Sequence, residues 1–215
     1  MLILASASNA RRRLLEKLGI NYKVMISGIN EDIDWLGIKE TVQVLAELKA
    51  KNILSKISSN NFENLNKEYI TSILGCDSMF ESNGCIYGKP KNEEEAIARL
   101  SKLSSSYGIL HTGHCFLYGK NLQTDFQFNS IEGIFTEVKS TKINFVQFSD
   151  KDINSYVKSG EPIKCAGGFS LEGKGSVFIS SIEGCYSNVL GLSLPWLKSS
   201  MEKADLYFSS IRKET

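Results

Sequence analysis

The stretch Leu2-Ile3-Leu4-Ala5-Ser6-Ala7-Ser8-Asn9-Ala10-Arg11-Arg12-Arg13-Leu14-Leu15-Glu16-Lys17-Leu18-Gly19 decides how the rest of this chain is read. Leu2 to Ala5 form a short buried strand. Ser8 stands where an N-cap belongs, Leu14, Leu15 and Leu18 share one helical face, and Gly19 ends the helix. The junction also carries chemistry. Backbone N–H groups at a helix N-terminus, the hydroxyls of Ser6 and Ser8 and the Arg11 guanidinium together suit phosphate oxygens. Arg11, Arg12, Arg13 and Lys17 outnumber the one nearby anion, Glu16. The same residues also suit an ordinary capped helix with a solvated basic face.

Working outward, a second strand covers about Tyr22 to Ile26 and leads into an acidic loop with Glu31, Asp32 and Asp34. A helix capped near Thr41 follows, with Val44, Leu45, Leu48 and Ala50 to Ile53 turned inward. The polar, Asn-rich run Ser58 to Lys67 is a loop. Tyr69 to Leu74 is a strand that ends at Gly75-Cys76-Asp77-Ser78, and Asn83-Gly84 signals a hairpin. After Gly88-Lys89-Pro90, the pair Asn92 and Glu95 resembles a capping box for a helix carrying Ala96, Ile97, Leu100 and Leu103.

Tyr107 to Phe148 is strand-rich, with a turn near Gly119 to Asn121, and a short helix runs from Ser149 and Asp152 to Gly160. From Gly160 to Gly191 the chain is dense in glycine and holds an alternating strand at Val177 and Ile179. The last helix starts near Pro195 and aligns Leu197, Met201, Ala204, Phe208 and Ile211 in one stripe. Helices interleaved with short strands indicate a mixed α/β fold. With no repeat and no clean linker, residues 1–215 read as a single domain, large enough for two small lobes on one core.

Composition narrows the function. The 215 residues carry 25 Lys plus Arg against 24 Asp plus Glu, and 42% are hydrophobic. Those proportions exclude a disordered chain. They also exclude a protein that grips nucleic acid by bulk charge, so any anion site is built locally. No apolar run approaches the ~18 residues of a membrane span, and the apolar start is too short for a secretory signal. A soluble, cytoplasmic protein is expected. Five scattered cysteines without a Cys-x-x-Cys pair argue against a disulfide framework or a zinc knuckle.

Three further places could carry chemistry. Asp77, just past a strand, could hold a divalent metal or deprotonate water, or simply cap the strand exit. Lys89, between a glycine and a proline, is a point charge for phosphate. In the run Gly160 to Gly173, Glu172 could accept hydrogen bonds from a base and Phe169 could pack on its ring; the plainer reading is a structural loop with a core Phe. His111 and His114, three apart in a strand, face opposite ways and take a structural reading. A mechanism with Cys165 as nucleophile, helped by His111 or His114 and Lys164, finds no support in their spacing.

Taken together, these segments resemble the Maf family of nucleotide pyrophosphatases. The matching residues are Leu4-Ala5-Ser6, Ser8 and Arg11 with Leu14-Leu15 and Gly19-Ile20; Leu45-Ala46 and Lys49-Ala50; Gly75 and Asp77-Ser78; and Gly84, Ile86 and Gly88-Lys89-Pro90. They continue through Thr112-Gly113, Tyr156-Val157, Gly160-Glu161-Pro162, Ala166-Gly167, Glu172-Gly173, Asn188-Val189 and Gly191-Leu192, in register from residue 2 to about 197.

The resemblance implies an elongated mixed-sheet Maf/ITPase-like fold with a cleft between two lobes. It implies hydrolysis of nucleoside triphosphates to the monophosphate and pyrophosphate with a divalent cation, Mg²⁺ or Mn²⁺. Asp77 then corresponds to the general base. Ser8, Arg11 and Lys89 correspond to phosphate binders, Glu31 and Lys49 to further polar positions of the cleft, and Glu31 with Asp77 to the metal ligands. The nucleoside triphosphate is the expected partner, with neither nucleic acid nor membrane, and a homodimer is compatible. Cys165-Ala166-Gly167, Phe169 and Glu172 resemble the branch that cleaves 7-methyl-GTP, whereas Ser78 resembles the branch that cleaves dTTP and UTP. The alternative is a non-catalytic nucleotide-binding regulator of cell division that keeps the same pocket.

Overall fold

The structure is a computed structural model and describes residues 1–32, 37–58, 70–120, 122 and 131–206. Asp34, most of the Asn-rich loop, Tyr69, Asn121, Phe208 and Ile211 lie outside the described residues. The opening stretch folds as its sequence predicts. Strand β1 (Leu2–Leu4) is fully buried and leads into helix α1 (Asn9–Lys17), capped by Ser8. Gly19, at φ +67°, takes the left-handed conformation that lets the chain leave the helix and enter β2 (Tyr22–Val24).

Helix α2 spans Ile38–Ser58 and begins earlier than the expected cap at Thr41. The Thr41 N–H donates to the Gly37 carbonyl and its side chain is buried, so Thr41 lies inside the helix, on its packed face. Val42, Leu45, Ala46, Lys49, Ala50, Ile53, Leu54 and Ile57 are buried, while Leu48 points outward at 39% exposure. The buried stripe therefore contains a lysine and excludes a leucine, which apolar patterning alone does not anticipate.

Strand β3 (Ser72–Ser82) does not end at Gly75 but runs straight through Asp77. Gly, Asp and Ser read as turn residues in isolation, yet here each has a place in the sheet. The Asn83-Gly84 turn, with φ of 50° and 71°, joins β3 to β4 (Cys85–Tyr87) as an antiparallel hairpin. Helix α3 (Glu93–Leu103) is capped by Asn92, strands β5 (Tyr107–Gly119) and β6 (Ile131–Phe145) follow, and α4 (Asp150–Lys158) opens with a capping box formed by Ser149 and Asp152. The strand expected at Val177 starts later. Lys174–Phe178 is a 3₁₀ turn with Val177 72% exposed, and β7 spans Ile179–Glu183. Helices α5 (Tyr186–Val189) and α6 (Leu194–Lys203) complete the described fold.

Among the described residues, seven strands form one mixed sheet in the order β2-β1-β3-β5-β6-β7, with β4 on β3. The pairs β1–β2 and β1–β3 are parallel, whereas β3–β4 and β6–β7 are antiparallel. The chain divides into two compact units. One holds residues 1–77, 112–139 and 191–215; the other holds 78–111 and 140–190. The core of the first packs α2 against the sheet through Ile3, Ala46, Ala50, Ile53, Ile73, Cys115 and Leu117. That of the second is aromatic, built on Phe80, Phe145, Phe148, Tyr156, Phe169 and Phe178. Among the described residues no helix is long and apolar enough to cross a membrane.

Candidate active site

In the first unit, the turn from β1 into α1 gathers polar groups around one guanidinium. Helix N-termini leave N–H groups without intrahelical partners, and the Ser8 hydroxyl accepts one of them, from Arg11, at 3.4 Å. The Ser6 hydroxyl accepts from the Ser8 N–H at 3.3 Å and from Arg11 Nη1 at 2.8 Å. Arg11 Nε donates to the Gly191 carbonyl at 2.7 Å. Arg11 is only 8% exposed, so a full positive charge is fixed at the positive end of a helix. Ser8 and Arg11, the predicted phosphate binders of this unit, are thus one assembly.

The second assembly faces α2. Residues 75 and 77 of β3 lie on the same side of the strand. At Gly75 there is no room for a side chain: a Cβ would stand 2.1 Å from the Ala46 carbonyl oxygen and 3.1 Å from the Ala50 Cβ. A Cβ at Gly113 on β5 would stand at the same 2.1 Å from the Val42 carbonyl oxygen. The two glycines let α2 press onto the sheet, and Lys49 Nζ then reaches Asp77 Oδ1 at 2.6 Å and Glu31 Oε1 at 2.8 Å. Asp77 and Lys49 are each 8% exposed, while the Glu31 side chain is 58% exposed.

Burial is the largest influence on Asp77 and pushes its proton affinity up. The Lys49 ammonium and the Arg11 guanidinium pull it down and Glu31 pushes it up again, leaving the carboxyl above its ordinary value. Such a carboxylate is a stronger base than a solvated one. Two carboxylates converging on one cation also match what a hard divalent ion asks for, since Mg²⁺ typically takes one or two protein carboxylates and completes its shell with substrate phosphates. No group of three or more His, Cys, Asp or Glu stands together among the described residues, so a dedicated protein cage is absent there. The donor set fits an ion shared with a phosphate ligand.

In the second unit the predicted residues are less alike. Lys89 is exposed, in a loop held at its backbone: the Gly88 carbonyl accepts from Arg99 Nη1 at 2.5 Å and from the Gly167 N–H at 3.2 Å. Arg99 also pairs with Glu95 and covers the Tyr87 ring. Ser78 and Glu172 are half-buried. Phe169 is 5% exposed and lies edge-on between Phe80 and Phe145, with ring centroids 5.1 and 5.0 Å away. It is a core ring, as the plainer reading of the glycine loop had it.

A family model described as Maf-like protein matches residues 1–204. The chain belongs to the Maf family. It is similar to proteins named nucleoside triphosphate pyrophosphatase. One, from Prochlorococcus marinus (strain SARG), is 53% identical over 207 residues, covering 96% of this chain and 98% of its own. Another, from strain NATL2A of that species, is 42% identical over 211 residues, covering 96% of this chain and 97% of its own. A third, from Synechococcus sp. (strain CC9605), is 41% identical over 198 residues, covering 92% of this chain and 99% of its own.

In this Maf-family chain the histidines are structural, and each in a different way. His111 bonds through Nδ1 to Ser140 and through Nε2 to Glu81. His114 Nε2 accepts the Ser193 N–H at 3.0 Å, leaving Nδ1–H to donate to the Glu137 carbonyl, and burial lowers its pKa to about 3. A ring that stays neutral and is hydrogen-bonded at both nitrogens is no base for a thiol. Burial also raises the Cys165 thiol, with Glu161 adding to the effect, which disfavours the thiolate.

Sequence reasoning missed the part played by Glu161. Its carboxylate accepts from Tyr156 Oη, Gly175 N and Lys174 N at 2.8 to 2.9 Å, and a Cβ at Gly173 would stand 2.3 Å from it. Burial works to raise its pKa, but those donors prevail and hold it below the ordinary value. Glu161 thereby pegs the loop that presents Glu172. The only signal in the sequence was the Gly160-Glu161-Pro162 motif, which says nothing of its contacts.

Proposed function

We propose that this chain is a nucleoside triphosphate pyrophosphatase that converts a nucleoside triphosphate to the monophosphate and pyrophosphate. The observation that carries the reading is the buried pair of Lys49 and Asp77 at 2.6 Å, in the unit that also holds Arg11 at a helix N-terminus. Asp77 takes a proton from a water molecule as its oxygen attacks the α-phosphorus. The bond from that phosphorus to the bridging oxygen breaks, and pyrophosphate leaves with the electron pair. Arg11, Ser8 and the first N–H groups of α1 hold phosphate oxygens, and Lys49 balances the charge around Asp77.

Glu31 and Asp77 would hold a divalent cation, Mg²⁺ or Mn²⁺, which when bound supplies neutralising charge to the phosphate oxygens. Lys89 is proposed as a further phosphate contact, and Ser78 and Glu172 as contacts to the nucleoside. Phe169 supports that region from the core.

Replacing Asp77 by Asn tests the reading. Pyrophosphate release is expected to be lost while nucleotide binding, followed by calorimetry, survives; unchanged turnover would remove Asp77 from its role. Initial rates on dTTP, UTP, CTP, GTP and 7-methyl-GTP identify the base, and preference for the methylated guanine is the expectation from Glu172. The retained Asp77, Lys49 and Arg11 leave the non-catalytic alternative without an observation in its favour.

A further inference from the structure

We infer that Gly191 and Ser6 together are positioning residues for Arg11. The proposal rests on the reading of Arg11 as a phosphate binder and adds the part that aims it. Gly191 lies 180 positions along the chain from Arg11, in a motif, Asn188-Val189 with Gly191-Leu192, that the chemistry leaves unused.

Three features converge there. The Gly191 carbonyl accepts Arg11 Nε at 2.7 Å, within a buried contact. Its φ is +92°, a conformation that side-chain-bearing residues rarely adopt. A Cβ at this place would stand 3.0 Å from Nε, 3.2 Å from Nη2 and 3.4 Å from Cζ. The backbone of residue 191 thus lies close against the guanidinium and accepts from it. A side chain there would require the guanidinium to give way by a few tenths of an ångström.

Ser6 completes the hold from the opposite end of the chain. Its hydroxyl accepts Arg11 Nη1 and also the N–H of Ser8, so the guanidinium and the N-cap are tied to one oxygen. Arg is unusual among cations in having a planar fork whose direction matters. With Nε and Nη1 both engaged, the plane of the fork is oriented before any phosphate arrives, which lowers the ordering cost of binding.

The test is a double-mutant cycle on the intact protein, with Gly191→Ala, Ser6→Ala and Arg11→Lys alone and combined. Pyrophosphate release is the activity, and the inhibition constant of added pyrophosphate is a second readout. Gly191→Ala and Ser6→Ala are each expected to cost roughly ten- to hundredfold in kcat/KM and to weaken inhibition by pyrophosphate in step, as expected for a misplaced binding group. In the Arg11→Lys background neither should cost more, because a lysine has no fork to aim.

Costs that simply add in that background would overturn the proposal, as would a folded Gly191→Ala or Ser6→Ala enzyme with normal kcat/KM. Ser6→Ala carries no backbone strain, so it decides the matter if Gly191→Ala does not fold. Full activity of Arg11→Lys would instead overturn the phosphate reading of Arg11, and the proposal with it.

Discussion

Lys49 is a lysine at a position its helix buries, and its two carboxylate partners explain why it is tolerated there. Removing it as Lys49→Met leaves Asp77 without the ammonium that lowers its pKa, so that pKa climbs further. The acid limb of the kcat/KM profile is therefore expected to move to higher pH in the variant, measured as initial rates of pyrophosphate release from about pH 4 to about pH 9. An unmoved limb would mean that some other group governs it. The folded pKa of Asp77 already lies above its ordinary value of 3.8. Between those two values the folded chain binds more protons than the unfolded one, so this group's contribution to stability falls as pH rises through the window. In urea titrations, Asp77→Asn should become more stable relative to wild type as pH rises through that window. The proposed base and the destabilising charge are one group, as buried carboxylates at functional sites tend to be.

At the scale of elements, two contacts set where the charged groups stand. Gly75 allows α2 to approach β3, and Gly75→Ala places a methyl group within 2.1 Å of the Ala46 carbonyl. The helix must retreat, with an expected loss of about 1–3 kcal/mol in urea denaturation and a longer reach from Lys49 to Asp77. Arg99 does comparable work for the Lys89 loop. Arg99→Ala removes the 2.5 Å bond to the Gly88 carbonyl, and a severalfold rise in KM with little change in kcat is expected if Lys89 contacts the ground-state phosphates. Phe80, fully buried and in contact with the rings of Phe145 and Phe169, is expected to cost about 3–5 kcal/mol as Phe80→Ala, read from the same urea titration. Several element termini were legible from sequence because they rest on bonds between near neighbours. The Ser8 cap, the Asn83-Gly84 turn and the Ser149 capping box all form as their residues suggest. The continuation of β3 through Gly75 and Asp77 was not legible. Its reason lies in α2, on a segment that begins more than thirty residues earlier in the chain.

For the whole molecule, the formal charge of +1 hides a local arrangement. The first unit holds Arg11 fixed at a helix N-terminus and Lys49 paired with Asp77 and Glu31, so the charges that matter there are held by specific partners. The sequence by itself determined the α/β class, the caps at Ser8, Asn92 and Ser149 and the hairpin, the family, and the types of residue the chemistry requires. Those depend on local hydrogen bonds, on apolar periodicity and on motif wording, all of which lie along the chain. Only the tertiary structure decided that Lys49 meets both carboxylates, that Phe169 is a core ring, that Glu161 pegs the glycine-rich loop and that Gly191 lies against Arg11. Each of these is a contact between residues separated along the chain. It exists because a sheet and its helices can approach only where glycine leaves room and where a buried charge finds its counterpart.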